Sequence, residues 1–198
     1  SGQRGDIARW EVKGQRVSLV AFSGYEHVYD LNDLDEVRRV VGDEAARSDV
    51  LIVSFHGGGE GPDYQRVAPG AEYFLGRNRG DLRAFAHLAV EAGADLVLGH
   101  GPHVVRAIEL YRDRLIAYSL GNFATYKRFN LTGPNGLGLL LAVTVDGDGR
   151  FVRGTAHALR QLGLGGPELD PGRAVLPTLR KLSREDFPDT GVDIAPDG

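Results

Sequence analysis

Asp49-Val-Leu-Ile-Val-Ser-Phe-His56 and Leu96-Val-Leu-Gly-His-Gly-Pro-His103 decide the fold between them. The first is a nearly continuous apolar run, the pattern of a strand buried on both faces of a parallel sheet. The second opens the same way and breaks at Gly101-Pro102. Between them, Asp81 is placed to cap a helix whose apolar stripe is Leu82, Phe85, Ala86, Ala89 and Val90, and Gly93 supplies its stop. Strand, helix and strand in that order make a βαβ unit, and its crossover predicts two parallel strands side by side or nearly so.

Working outward, Val17–Phe22 predicts another strand, and residues 30–48 a helix with Leu34, Val37, Val40 and Val41 on one face. Residues 1–16 are polar and carry no pattern. Residues 57–80, rich in Gly, Pro and charge, predict a long surface loop. Downstream, Ala107–Tyr111 and Leu115–Leu120 predict paired strands around an Arg112-Asp113-Arg114 turn. Leu137–Val145 and Phe151–Leu159 predict a hairpin closed by Asp146-Gly-Asp-Gly149. A short helix is expected near Ala174–Leu182. The whole reads as one α/β domain over residues 1–190 with a tail at 191–198.

Composition narrows the function classes. The chain has 198 residues with 42% apolar and 25% charged content, ordinary for a globular domain. Its net charge of −4 argues against a nucleic-acid partner, which calls for a basic face. No apolar run approaches the roughly 20 residues that cross a bilayer, so a membrane would be reached only through an upstream anchor. The absence of cysteine excludes disulfides and thiolate metal sites.

The chemistry lies at the strand ends. Parallel strands share a direction, and ligands bind outside their carboxyl ends. His56 and His100 end two such strands. Gly101 and Pro102 permit a sharp turn that returns His103 to the same edge. Three neutral imidazoles brought together suit a divalent transition metal such as Zn, Mn or Fe. His27, His87 and His157 read as ordinary solvated or hydrogen-bonded residues, His87 lying off the apolar stripe of its helix.

Four ordered segments carry a family resemblance: Ser54-Phe-His-Gly-Gly-Gly-Glu60, Ala92-Gly-Ala-Asp-Leu-Val-Leu-Gly-His-Gly-Pro-His103, Ile108-Glu-Leu-Tyr111 and Tyr118-Ser-Leu-Gly-Asn-Phe123. Together they resemble the bacterial capsule and poly-γ-glutamate synthesis (CapA-like) family, densely over residues 45–125 and more loosely to about residue 190. That family is similar in fold to calcineurin-like metallophosphoesterases, which implies a four-layer αββα sandwich with a metal site at one edge. The resemblance implies His56, His100 and His103 as ligands to one or two divalent ions, and Glu60 and Asn122 as residues lining the same pocket. It implies His103 and Glu60 in catalysis, Glu60 and Asn122 in substrate binding, and metal-assisted hydrolysis of a phosphoester or an anionic polymer. A non-catalytic polymer-binding module of the cell envelope is the competing reading.

Two departures from the family pattern stand out. Gly57 replaces its Trp and Gly61 its Tyr, so a more open pocket wall is expected. The family's first segments, with their acidic and Asn ligands, have no counterpart here. The chain reads as the C-terminal part of the family domain, its site to be completed by an N-terminal segment or a partner chain. A serine esterase is a lesser alternative: His56-Gly-Gly-Gly59 looks like an oxyanion loop, Ala117-Tyr-Ser-Leu-Gly121 nearly matches a nucleophile elbow, and Asp148 and His157 follow in order. Against it, residues 122–128 show no helical stripe, and His100 and His103 are left idle.

Overall fold

The computed structural model describes residues 5–124, 126–127 and 129–198. The chain opens with a hairpin, β1 (Ala8–Val12) and β2 (Gln15–Ser23), followed by the short β3 (Tyr29–Asp30) and α1 (Leu34–Ala45). Next come β4 (Val50–His56), a second hairpin of β5 (Glu72–Phe74) and β6 (Arg77–Gly80), α2 (Leu82–Glu91) and β7 (Leu96–His100). A third hairpin, β8 (Ile108–Tyr111) with β9 (Arg114–Ala117), precedes β10 (Leu137–Val145), β11 (Phe151–Gln161), β12 (Pro167–Leu169) and α3 (Val175–Asp186).

Among the described residues the main sheet runs β1-β2-β4-β7-β9-β8, with β3 beside β2. Strands β2, β4, β7 and β9 are mutually parallel, so the expected βαβ neighbours are direct partners. One face of this sheet meets α1 and α2 through Phe22, Val53, Phe55, Phe85 and Val97, all buried. Phe85 sits edge-on to both Phe22 and Phe55 at 5.3 Å, a geometry worth about 0.5–1.5 kcal/mol per pair beyond the area buried. The other face looks toward the three-stranded sheet β10-β11-β12. Leu96, Leu98, Ile108 and Leu115 there meet Leu139, Ala156 and Ala158, and α3 closes the side of this second core with Val175, Leu176 and Leu179. Leu140 and Val152 point away from that core and are exposed. The result is a mixed α/β sandwich of two facing sheets, with helices layered on the outer face of the first.

The predicted cap at Asp81 is present, and α1 has one that the sequence reading does not single out. Asp81 accepts a hydrogen bond from the Ala84 amide at 2.9 Å, and Asp33 caps α1 by accepting from Glu36 at 3.0 Å. The α1 stripe differs from expectation. Leu34 is 42% exposed at the helix start, and its place is taken by Glu44, 1% exposed and paired with Arg9 and Ser18.

Three two-residue hairpin turns, Lys13-Gly14, Leu75-Gly76 and Arg112-Asp113, have positive φ at both central positions, which matches the twist of their strands. Only the third was anticipated. The first converts patternless residues 8–16 into strand; the second places β5 and β6 inside the expected loop. Residues 191–198, expected as a tail, lie against the body: Val192 donates to the Ile108 carbonyl at 3.1 Å and Ile194 is 8% exposed. No described helix is long and apolar enough to cross a membrane.

Candidate functional site

The carboxyl edge of the parallel strands gathers the candidate residues. Ser23, His56 and His100 are aligned across β2, β4 and β7. Paired residues of parallel strands project to the same face, so both imidazoles leave the side of the sheet opposite α1 and α2. The loops that follow are zipped together: the Gly57 amide donates to the His100 carbonyl at 3.0 Å, and the Gly61 amide to the Pro102 carbonyl at 2.8 Å. Gly101 has φ +117, and a side chain there would strike the Gly57 carbonyl at 2.7 Å. The tight turn read from Gly101-Pro102 is therefore present, and it delivers His103 in a left-handed conformation, φ +60. Such a conformation is costly for a residue with a side chain and marks a constrained position.

His103 Nδ1 lies 2.7 Å from Asn122 Oδ1. Asn122 Nδ2 in turn donates to the Asn135 carbonyl at 2.9 Å, which orients the Asn122 oxygen as the acceptor. His103 must then carry its proton on Nδ1, leaving Nε2 with its lone pair. That atom is 3.7 Å from Glu60 Oε2. Phe129 stands edge-on to the His103 ring at 4.4 Å. His103, Glu60, Pro62, Phe129 and Asn135 border an open groove of about 430 Å³.

Burial lowers the pKa of His56, and Arg79 and His103 add repulsion toward its protonated form, while Glu60 opposes them. Burial also lowers the pKa of His100, although part of that ring remains open to solvent. Both shifts favour the neutral imidazole that a metal requires. Donor number is another matter: among the described residues, no group of three or more His, Asp or Glu side chains is placed to hold a metal ion. The three histidines share an edge without closing on one point.

Two arginines that carry no sequence signal of their own dominate the surroundings. Arg79, on β6, is 6% exposed; it donates through Nε to the Gly58 carbonyl at 2.9 Å and through Nη1 to the Tyr25 hydroxyl, and its Nη2 is 3.1 Å from Glu60 Oε1. Tyr25 lies 5.6 Å from the His56 ring. Arg106 is wholly buried and forks onto both Glu72 oxygens at 2.7 and 2.8 Å. The turn Leu75-Gly76 is the sequence feature that folds Arg79 back against the loop after β4, and no such feature points to Arg106.

The glycine run is explained by these neighbours. A side chain at Gly57 would meet the Arg79 carbonyl at 2.8 Å and Leu31 and Leu82 at 3.0 Å. The expected opening of the pocket wall is thus corrected at Gly57, where β6 and the core fill the space; at Gly61 a side chain would meet nothing within 4 Å, and the groove wall is open there. Gly58 has φ +83, and Gly59 lies under the Tyr64 ring.

The same contacts overturn the esterase reading. The Gly57, Gly58 and Gly59 amides donate to the His100 carbonyl, the Arg79 carbonyl and Glu72 respectively, so none remains for an oxyanion. Ser119 is 1% exposed with its hydroxyl donating to the Val104 carbonyl at 2.7 Å. Asp148 belongs to the β10–β11 turn and His157 is exposed on β11. His87, read as an ordinary residue, is hydrogen-bonded to Glu109 at 2.9 Å and stacked on Tyr111.

Comparison with known proteins gives a consistent picture. The family described as bacterial capsule synthesis protein PGA_cap matches residues 2–127, well over half of the chain. The protein y4sH of Sinorhizobium fredii is 35% identical over 100 residues, 50% of this chain and 19% of that protein. The capsule biosynthesis protein CapA of Bacillus anthracis is 31% identical over 90 residues, 46% of this chain and 19% of CapA. The matched stretch thus spans about a fifth of the length of these relatives. Among solved structures, a hypothetical protein from Thermus thermophilus superposes with a TM-score of 0.50 at 17% identity, covering 79% of this chain and 62% of that one.

Proposed function

We propose, from the premise that this chain belongs to the bacterial capsule synthesis protein family PGA_cap, that it carries the histidine-bearing edge of a metal-assisted site acting on an anionic polymer or phosphoester at the cell envelope. The observation that supports this most is the alignment of His56 with His100 on adjacent parallel strands, with His103 returned to the same edge and fixed by Asn122.

The donor chemistry suits Zn, Mn or Fe: three imidazoles, two of them biased toward the neutral form by burial. The donor count is partial. In this proposal His56, His100 and His103 contribute to one or two ions, and a further segment or a partner chain contributes the rest. A bound divalent ion would supply Lewis acidity toward a phosphoryl or acyl oxygen. The chain's own residues do the remaining work. Where the ions are held by His56, His100 and the further donors alone, His103 Nε2 is left to exchange a proton at the reacting group, its Nδ1 proton being held by Asn122. Glu60 Oε2 lies 3.7 Å from Nε2. The non-catalytic alternative, an anionic-polymer module, is favoured by one observation: a buried guanidinium, Arg79, beside the same groove.

Calorimetric titration with Zn²⁺ and Mn²⁺, on the wild type and on the His56→Ala/His100→Ala double variant, tests the site. We expect binding that weakens roughly tenfold or more in the double variant, the scale seen when a metal's supporting residues are removed. No binding by the wild type, or equal binding by both, would sink the proposal. Phosphoester turnover abolished by a chelator selects the enzyme; polymer binding without turnover selects the module.

A further inference from the structure

The left-handed backbone of His103, φ +60, is costly for a residue with a side chain. Gly101 and Pro102 permit the turn that leads to it; the hydrogen bonds on His103 come from outside that turn. Its Nδ1 meets Asn122 Oδ1 at 2.7 Å, Asn122 Nδ2 donates to the Asn135 carbonyl at 2.9 Å, and Asn135 Nδ2 donates to the His103 carbonyl at 3.2 Å. These contacts close a ring. It runs from the His103 imidazole through the Asn122 amide to the backbone of Asn135, and returns from the Asn135 side chain to the backbone of His103.

Both asparagines are set by close backbone approach. Asn135 lies in the short 3₁₀ turn Gly133–Gly136, directly before β10, where the Leu137 amide donates to the Pro134 carbonyl. Beside it Gly121 pairs with Gly138, and a side chain at Gly138 would strike the Asn122 carbonyl at 2.2 Å. Asn122 is 6% exposed and Asn135 5%.

The Asn135 amide is oriented without ambiguity, because only its N–H side can face the His103 carbonyl. Its Oδ1 is then left buried, with no donor among the described residues. A buried acceptor without a donor costs as much as one neutral hydrogen bond returns, or more. For stability alone an apolar side chain would serve as well. What the amide supplies is a fixed place for His103.

We infer that Asn135 is a positioning residue for His103. Its side-chain N–H holds the His103 backbone, and its carbonyl holds the Asn122 amide that sets the His103 tautomer. One residue thus fixes both the direction of the imidazole and the nitrogen that carries the proton. The inference rests on the reading above that His103 works at this edge, and it names the residue on which that geometry depends.

Asn135→Leu tests it, since it removes the side-chain donor and the orphaned oxygen together while keeping the backbone carbonyl. In the metal-free full chain, the imidazole nitrogen shifts of His103 report its tautomer. The intraresidue amide–Hα Overhauser effect, strongest in a left-handed residue, reports its φ. The wild type should show the Nδ1–H tautomer and a left-handed His103. The variant should show mixed tautomers and lose the left-handed signature, with the midpoint of urea unfolding unchanged or raised. A His103 that stays locked in Asn135→Leu overturns the inference, as does a midpoint that falls as far as that of Asn122→Ala, which would make Asn135 a structural residue. If Asn135→Leu does not fold, the spectra of Asn135→Ala decide. Calorimetry with Zn²⁺ adds a second readout: Asn135→Leu should weaken binding roughly tenfold, and should weaken it no further in a His103→Ala background. An equal loss in both backgrounds overturns the inference, because Asn135 would then act by a route other than His103. Absence of Zn²⁺ binding by the wild type sinks the metal reading, and the metal-free spectra then decide this one.

Discussion

Arg106 and Glu72 meet through two contacts of 2.7 and 2.8 Å with the guanidinium wholly buried, whereas Arg79 and Glu60 meet through one contact of 3.1 Å with the carboxylate 28% exposed. Both pairs flank the same glycine run, and both arginines bond its carbonyls, Arg106 at Gly59 and Arg79 at Gly58. The first pair is the better matched: Glu72 also accepts the Gly59 amide at 2.8 Å, so fork and backbone are satisfied together, and each guanidinium keeps one buried nitrogen without a partner, Nε of Arg106 and Nη2 of Arg79. The second is left with a free edge on the side of the histidines. One cation is held by its carboxylate; the other is held chiefly by the Gly58 carbonyl and the Tyr25 hydroxyl.

The largest effect should come from breaking the better matched pair. Glu72→Ala strips the partner from a wholly buried cation and orphans the Gly59 amide, and should cost about 3–5 kcal/mol in urea unfolding. An apolar pair of similar volume, Arg106→Met with Glu72→Leu, should recover much of that loss, since a buried ion pair gains little over good packing. If Glu72→Ala costs less than about 1 kcal/mol, the contrast between the pairs disappears.

Next in size is Asn122→Ala. It leaves the Asn135 carbonyl and His103 Nδ1 without a partner, a loss of about 1–3 kcal/mol for buried polar groups. It should also release the His103 tautomer, visible as a change in its imidazole nitrogen shifts. A stability loss with the tautomer unchanged would mean that something other than Asn122 sets the proton on Nδ1.

A smaller effect follows from pH. His56 titrates below the ordinary imidazole value of 6.5, chiefly because it is buried, with Arg79 and His103 reinforcing the shift. The unfolded chain therefore binds this proton more readily than the folded one. Stability should fall as pH drops below about 6.5, until the folded-state pKa is reached. His56→Gln should flatten the fall that begins below about pH 6.5. An equally steep profile in the variant would place the titrating group elsewhere, and His100, lowered by burial but partly open, is the next to replace.

Much of this architecture is legible in the sequence, and the reason is physical. The apolar run ending in His56 and the capped stripe from Asp81 to Gly93 signal buried strand and helix because burial leaves few alternatives. Strand direction then places His56 and His100 on one edge, and Gly101-Pro102 gives the turn to His103. What escapes is whatever depends on exposed or non-local partners. β1 is exposed along its whole length, so no alternation betrays it, and Lys13-Gly14 and Leu75-Gly76 are weak turn signals beside Asn-Gly or Asp-Gly. Arg79 and Arg106 read as solvated charges until tertiary contacts bury them. Convergence of the histidines is a matter of ångströms, which spacing along a chain does not encode.

Glu60→Gln is the smallest expected effect on stability and the sharpest test of the contrast. The change keeps the shape of the side chain and leaves an amide oxygen near Arg79 Nη2. Because the carboxylate is partly solvated and out of line, its loss should cost about 1 kcal/mol or less, as for other half-exposed pairs. Set beside Glu72→Ala, this isolates the role of geometry: two glutamates next to two buried arginines on one loop, differing chiefly in alignment and exposure. A cost for Glu60→Gln near that of Glu72→Ala would make Arg79–Glu60 a second structural clamp and erase the contrast. A small cost is the signature of a buried cation whose place is set by the Gly58 carbonyl and the Tyr25 hydroxyl and only lightly by its carboxylate.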